Sequence, residues 1–389
     1  MILNVDDFEI AARKKLPRPL FGYIAGAAET NSAFADNRTI FSEMRLVPHV
    51  LRGVEGRSIG APLMGRMWDA PFGIAPMGIS ALMAYDGDLV LARAAATANV
   101  PFILSGSSLT PMERVVEAFP DAWFQAYLPG EDDRIRALVD RVARAGFKTL
   151  VLTADTAVLA NRENNLRAGF STPLRISPRL IADFGIKPRW LLGTFLRTLV
   201  SKGMPHFENS DAERGAPIMS QRAVRDFGRK DHLNWDHVAN IRDQWKGDLV
   251  IKGVLARGDV ARARTLGCSG VILSNHGGRQ LDFAISGVRA LSAARSEAGS
   301  MALMVDGGIR RGTDVMKALA LGADFVFVGR PMLFAAVVKG ESGVTKAIDI
   351  LRAEVRRDLG LLGLRSIEEI SEFVLERAAD NGSVKHPNT

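Results

Sequence analysis

Short, almost uninterrupted apolar runs bounded by Gly, Pro and Asp recur along this chain. They read "PFGIAPMG" (71–78), "PFILSG" (101–106), "AWFQAY" (122–127), "TLVLTAD" (149–155), "DLVIKGV" (248–254), "GVILSNH" (270–276), "ALMVDGGI" (302–309) and "FVFVGRP" (325–331). Continuous rather than alternating hydrophobicity is the mark of parallel strands buried on both faces. Between the runs lie stretches with helical spacing, such as "GDLVLARAAATANV", "DDRIRALVDRVARAG" and "GTDVMKALALGA". Eight βα units in series predict an α/β fold, a (β/α)8 TIM barrel over about 71–365, preceded by a helical N-terminal segment. The whole of 1–389 reads as one domain. One connection is irregular: between Asp155 and Asp248 the chain carries an insertion, about 165–235, too long for a structureless loop. It is expected to be a lid, a helical excursion or a surface-binding element.

Composition narrows the class. With 47% apolar residues over 389 positions, the chain has enough material for a full core. A lone cysteine, Cys268, rules out an internal disulfide and a thiol cluster for zinc or iron-sulfur ligation, so no metal site is expected. Neither a signal peptide nor a spanning run is visible, which makes the cytoplasm the expected address. The formal charge of +7 suits an anionic substrate, cofactor, nucleic acid or membrane face. Because the basic residues are scattered, without basic-aromatic runs, nucleic acid is not expected.

In a barrel of this kind the reacting groups stand at the C-terminal ends of strands, and polar residues fall there: Gly78, Ser105, Gln125, Tyr127, Thr153, Asp155, Lys252, Ser274, His276, Asp306, Gly329 and Arg330. Glycines after the seventh and eighth runs, Gly307-Gly308 and Gly329, each with an arginine nearby (Arg310, Arg330), suit a single phosphate. Gln125, Thr153 and Lys252 suit the polar edge of a flavin ring, an ammonium being well placed where negative charge develops on reduction. "SNHGGRQLD" (274–282) puts His276 beside a glycine pair and Arg279. Spacing alone leaves His276 either a loop histidine or a proton carrier; Asp155 at another strand end turns the reading toward catalysis.

"VILSNHGGRQLD", with "LTADT", "FQAY", "VIKGV", "DGGIRRG" and "VGRP" in the same order, resembles the FMN-dependent L-2-hydroxy-acid oxidase and dehydrogenase family. The likeness runs from "FGYIAGAAETNSAFADN" to "LLGLRSIEEI", nearly the whole chain. It implies His276 as the base and Asp155 as its orienting carboxylate. Arg162 and Arg279 would clamp the substrate carboxylate, with Tyr23 and Tyr127 contacting the substrate. The implied flavin set is Ala75, Pro76, Met77, Gly78, Ser105, Gln125, Thr153, Lys252 and Ser274, and the phosphate set Asp306, Gly307, Gly308, Arg310, Gly329 and Arg330. The chemistry agrees: a 2-hydroxy acid needs its carboxylate fixed and a base for the proton that leaves as two electrons move to the flavin. Whether that proton comes from carbon or from oxygen stays open. An FMN barrel of another class, such as an isomerase, or a non-catalytic binder would leave His276, Arg162 and Arg279 without a purpose.

The resemblance also bears on the electron acceptor and substrate. Gly78 stands where many oxidase members have alanine and is similar to the membrane dehydrogenases acting on mandelate and lactate. Within "KPRWLLGTFLRTLVSKGMP", Trp190, Leu192, Phe195, Leu196, Leu199 and Val200 fall broadly on one helical face, beside Lys187, Arg189, Arg197 and Lys202. Such a segment, about 181–207, suits either a membrane interface on the inner face of the cell membrane or packing on the barrel or another subunit. Membrane attachment implies a quinone acceptor; oxygen is the alternative. "SGSSLTPMERV" lacks the bulky aromatic that glycolate oxidase carries there, so a mandelate-like acid is expected first and lactate second. Met83, Leu109 and the 170s are possible pocket positions that match no particular member. A homotetramer is expected from the family.

Overall fold

The computed structural model describes residues 1–171, 177–220 and 230–377. All eight apolar runs are strands: β1 (Phe72–Ile74), β2 (Ile103–Ser105), β3 (Trp123–Ala126), β4 (Thr149–Thr153), β5 (Asp248–Val254), β6 (Gly270–Leu273), β7 (Ala302–Asp306) and β8 (Phe325–Val328). They form one sheet in the order β1-β8-β7-β6-β5-β4-β3-β2, every pairing parallel. A parallel bridge from Ile74 to Phe102 brings the two edges together into the (β/α)8 barrel. The ring leaves no long exposed edge, and the strand interiors are buried throughout, as continuous hydrophobicity demanded.

Helices Asp6–Lys15, Arg18–Ala25 and Ser32–Ser42 precede the barrel, as expected for the N-terminal segment. Their role is partly to wall the site. Asp282, after the histidine loop, accepts hydrogen bonds from the backbone N–H groups of Thr30 (2.9 Å) and Ala33 (2.9 Å), stitching that loop to the helical segment. The last barrel helix, Arg330–Leu361, is broken by non-helical backbone at Lys339 and Gly340.

The connection after β4 is a helical excursion: Glu163–Ala168, Pro178–Gly185, then Pro188–Trp190 running through a π-helical turn, Leu191–Leu196, into Arg197–Lys202. Positions 172–176 and 221–229 of the insertion, including part of the 170s, lie outside the described residues. The single apolar face expected over 190–200 divides in two. Trp190 is fully buried, its indole N–H donating to the Leu82 carbonyl (3.0 Å) and its ring stacked on Phe195. Leu192, Leu196 and Val200 instead face outward, joined by Ile181 and Ile186. Leu192, two residues on, is about 200° round from Trp190 on any regular helix, and the π turn, with its i→i+5 repeat, swings Phe195 in beside Trp190. No helix among the described residues is long and apolar enough to cross a membrane.

Candidate active site

A cavity of about 610 Å³ opens at the C-terminal end of the strands. Parallel pairing sets each functional side chain on the rim at a fixed register: Thr153 beside Lys252, and Ser105 beside Gln125. Of the residues singled out in the sequence, Tyr23, Ala75, Pro76, Met77, Gly78, Tyr127, Thr153, Arg162, Lys252, His276, Arg279, Asp306, Gly307, Gly308, Arg310, Gly329 and Arg330 line it. Ser105, Gln125, Asp155 and Ser274 stand immediately behind, each bonded to another member of the set. Met83 and Leu109 are not pocket contacts. Met83 is buried in the core, Leu109 lines a separate cavity of about 190 Å³, and it is Leu82 that reaches the main one.

The His276 backbone is left-handed (φ 57°) and its N–H donates to the Ser274 hydroxyl (3.0 Å). The imidazole Nδ1 meets Asp155 Oδ1 at 2.9 Å, while Nε2 faces the Tyr127 hydroxyl at 3.5 Å. Asp155 can come this close because residue 253 is glycine: with φ +91°, a Cβ there would stand 2.6 Å from the Asp155 carboxyl carbon. The pair divides its charge in a definite way. Burial lowers the His276 pKa below the ordinary histidine value, more than the Asp155 charge raises it, with Lys252 and Arg162 lowering it further. For Asp155 burial acts upward, yet the His276 and Lys252 charges and the His276 hydrogen bond together hold it below the ordinary carboxylate value. The result near neutrality is an ionised carboxylate holding a neutral imidazole, whose free Nε2 can accept a proton.

Arg162 and Arg279 lie on the same side of the cavity. The Arg279 guanidinium donates to the carbonyls of Tyr23 (2.6 Å) and Gly26 (2.8 Å) and lies over the Tyr23 ring. Arg162 donates to the Arg279 carbonyl (3.0 Å) and to Gln280 Oε1 (2.7 Å). Both keep N–H groups to spare, since a guanidinium carries five. Burial, with the Arg162 charge adding to it, pushes Arg279 down to about 10. Burial raises the Tyr127 phenol, with the Asp155 charge adding to it, so this hydroxyl stays protonated and can donate. The glycine pair serves packing as well as access: a Cβ on Gly278 would stand 2.5 Å from the Phe34 nitrogen, and one on Gly277 3.0 Å from Arg330 Nη1.

Deeper in, Lys252 pairs with Asp306 (2.8 Å) and donates to Ser274 (2.9 Å). Ser105 donates to Gln125 Oε1 (3.2 Å), which leaves Gln125 Nε2 buried without a partner, like the Thr153 hydroxyl. Orphaned buried polar atoms are rare in folded proteins and point to a ligand. An amide donor, a hydroxyl and an ammonium on one wall fit the pyrimidine edge of a flavin. Arg330 spends its Nε and Nη2 groups on the carbonyls of Ile24, Gly26 and Gly277, and no carboxylate among the described residues pairs with it. Arg310 donates to the Ile309 carbonyl and reaches Asp6 (3.2 Å). Burial lowers both arginines, a cost that a phosphate would offset. The residues present therefore fit FMN. No group of acids, histidines and cysteine suited to a metal occurs among the described residues.

Of the 170s, Phe170 and Ser171 do line the cavity; sequence reasoning missed Lys230, which lines it too, Gln280, which ties Arg162 to the Asp155 carbonyl, and Leu82, Phe207 and Ile218, which complete an apolar wall with Phe170. Gln280 was visible within the histidine motif; a loop lysine has no signal of its own. Among the described residues six cations line the cavity (Arg162, Lys230, Lys252, Arg279, Arg310, Arg330) against one carboxylate, Asp306, so their potential favours anions.

Comparison with known proteins agrees with this chemistry. The (S)-mandelate dehydrogenase of Pseudomonas putida is 35% identical over 376 residues, 96% of this chain and 94% of the relative. The L-lactate dehydrogenase of Caulobacter vibrioides is 35% identical over 384 residues, 96% of this chain and 98% of the relative. A crystal structure of the monotopic membrane protein (S)-mandelate dehydrogenase superposes with a TM-score of 0.90 at 35% identity, covering 96% of this chain and 99% of that one. The family profile described as FMN-dependent dehydrogenase matches residues 12–377, and the chain therefore belongs to the FMN-dependent dehydrogenase family, as an enzyme that uses FMN.

Proposed function

We propose that the protein oxidises an (S)-2-hydroxy acid to the 2-keto acid, with His276 as the base. The observation that carries this reading is the buried His276–Asp155 pair, its Nε2 facing Tyr127, on a cavity that also holds the two spare-handed guanidiniums of Arg162 and Arg279. Arg162 and Arg279 hold the substrate carboxylate with charge-assisted hydrogen bonds. Tyr23 and Tyr127 orient the 2-hydroxyl end. The oxidation releases two protons, one from carbon and one from oxygen, with two electrons; His276 Nε2 takes one proton, Asp155 steadies the imidazolium so formed, and the second proton accompanies the two electrons to the acceptor. Bound FMN supplies the two-electron acceptor. It would be held by Lys252, Gln125, Thr153, Ser105 and Ser274 at the ring, by the 75–78 backbone along it, and by Gly307, Gly308, Arg310, Gly329 and Arg330 at the phosphate, with Asp306 fixing Lys252.

The apolar wall of Leu82, Phe170, Phe207 and Ile218, together with the small Gly78, supports a side chain of aryl size, mandelate-like before lactate-like. We further propose peripheral attachment to a membrane and delivery of electrons to quinone. The exposed Ile181, Ile186, Leu192, Leu196 and Val200, flanked by exposed Arg189 and Arg197, compose a surface suited to an anionic interface, and the similar mandelate dehydrogenase is described as monotopic.

His276→Gln tests the base: FMN content and fold should persist while turnover falls by about 10²–10⁴-fold. A mutant turning over at the wild-type rate would overturn the assignment. For the membrane, the holoenzyme should sediment with vesicles containing phosphatidylglycerol, and the double change Leu192→Glu and Val200→Glu should release it without slowing oxidation with a soluble acceptor. Equal sedimentation of both proteins contradicts attachment through this face.

A further inference from the structure

One cation in the cavity has no role in the chemistry described so far. Lys230 is only 7% exposed and lines the cavity on the side of Tyr127, its ammonium 5.4 Å from the centre of that ring. A single phenol ring thus separates it from the hydroxyl that faces His276. Among the described residues no carboxylate pairs with it and its ammonium donates no hydrogen bond. Arg134, the charged neighbour that acts on it, is itself held by Asp211 and Glu131. Arg134 itself is a like charge, and burial together with it lowers the lysine to about 8.

A buried charge that no described carboxylate meets is of the kind found where a ligand supplies the counter-charge. The ring face of Tyr127 is a weak substitute, because a cation over one aromatic ring recovers only part of its lost hydration. Of the charges around it, Arg134 is the one that acts on Lys230, and none of the cations assigned to the flavin ring, the phosphate or the reacting carboxylate does.

We propose that Lys230 receives an anionic group at the far end of the substrate's side chain, so that the preferred substrates are 2-hydroxy acids bearing a second acid group. This rests on the 2-hydroxy-acid reading above and narrows it. Arg162 and Arg279 grip the reacting end, the apolar wall covers the body of the side chain, and Lys230 reads its terminus.

The test compares matched pairs with and without the distal charge, (S)-4-carboxymandelate against (S)-mandelate and (S)-2-hydroxyglutarate against (S)-2-hydroxypentanoate, on the FMN-loaded enzyme. In at least one pair the diacid should be favoured at least tenfold in kcat/KM. Lys230→Met should erase that preference while leaving the uncharged member within about threefold, and Lys230→Arg should retain it. Equilibrium binding of the matching keto acids, 2-oxoglutarate against 2-oxopentanoate, should change in parallel and does not depend on turnover. Absence of preference in both pairs, or a preference that Lys230→Met leaves unchanged, overturns the assignment of Lys230 alone. If no 2-hydroxy acid of any kind reduces the flavin, the functional reading falls, and this inference with it.

Discussion

His276 and Asp155 are 121 positions apart in sequence, and the barrel places them 2.9 Å apart. What the pair does is set by burial more than by partnership, since burial lowers the histidine further than Asp155 raises it. The sign follows directly. A base with a lowered pKa is already deprotonated below pH 6.5, so the acid limb of kcat/KM should turn below the ordinary histidine value. Asp155→Asn removes the contribution that raises His276, and should move that limb lower still while slowing the plateau. A limb above pH 6.5 in the wild type, read from a pH profile with a non-ionising acceptor, contradicts the account. At this scale the sequence was informative where a residue's type is itself unusual. A lysine inside an apolar strand stands out, and a histidine beside two glycines and an arginine gained a role once Asp155 was set beside it, whereas Lys230 looks like any loop lysine until its burial is known. Gly253 was read as part of a motif, yet its reason is spatial: it makes room for Asp155 across the sheet.

Elements were legible in proportion to how regular they are. Eight apolar runs became eight parallel strands because burial on both faces writes the same pattern everywhere in a barrel. The excursion after β4 was legible as helical but not in its facing. A 3.6-residue period sets Phe195 about 140° round from Trp190, and the π turn instead stacks the two rings while Leu192, Leu196 and Val200 stay outside. The histidine loop depends on packing that no local pattern encodes, namely the N-terminal helices pressed against Gly278. With φ +74° and the Phe34 nitrogen 2.5 Å from where a Cβ would stand, Gly278→Ala should cost about 1–3 kcal/mol, seen as a lower melting temperature with reduced FMN retention. An unchanged melting temperature would mean that the loop and helices are not tightly coupled.

For the molecule as a whole, the barrel gathers groups from eight strand ends and the N-terminal helices into one cavity that is cationic at Arg310 and Arg330, at Arg162 and Arg279, and at Lys230. A net charge of +7 spread over a basic chain gave only the direction of this preference, toward anions; the fold concentrates it. On the proposed function, this cavity takes two protons and two electrons from a 2-hydroxy acid of one hand. The most direct measurement mixes the FMN-loaded protein, without oxygen, with paired (S)- and (R)-2-hydroxy acids and follows flavin absorbance through a single turnover. Rapid bleaching by (S)-acids, with (R)-acids slower by orders of magnitude, is the expected result; a flavin left oxidised by every acid, or bleached equally by both hands, would contradict it.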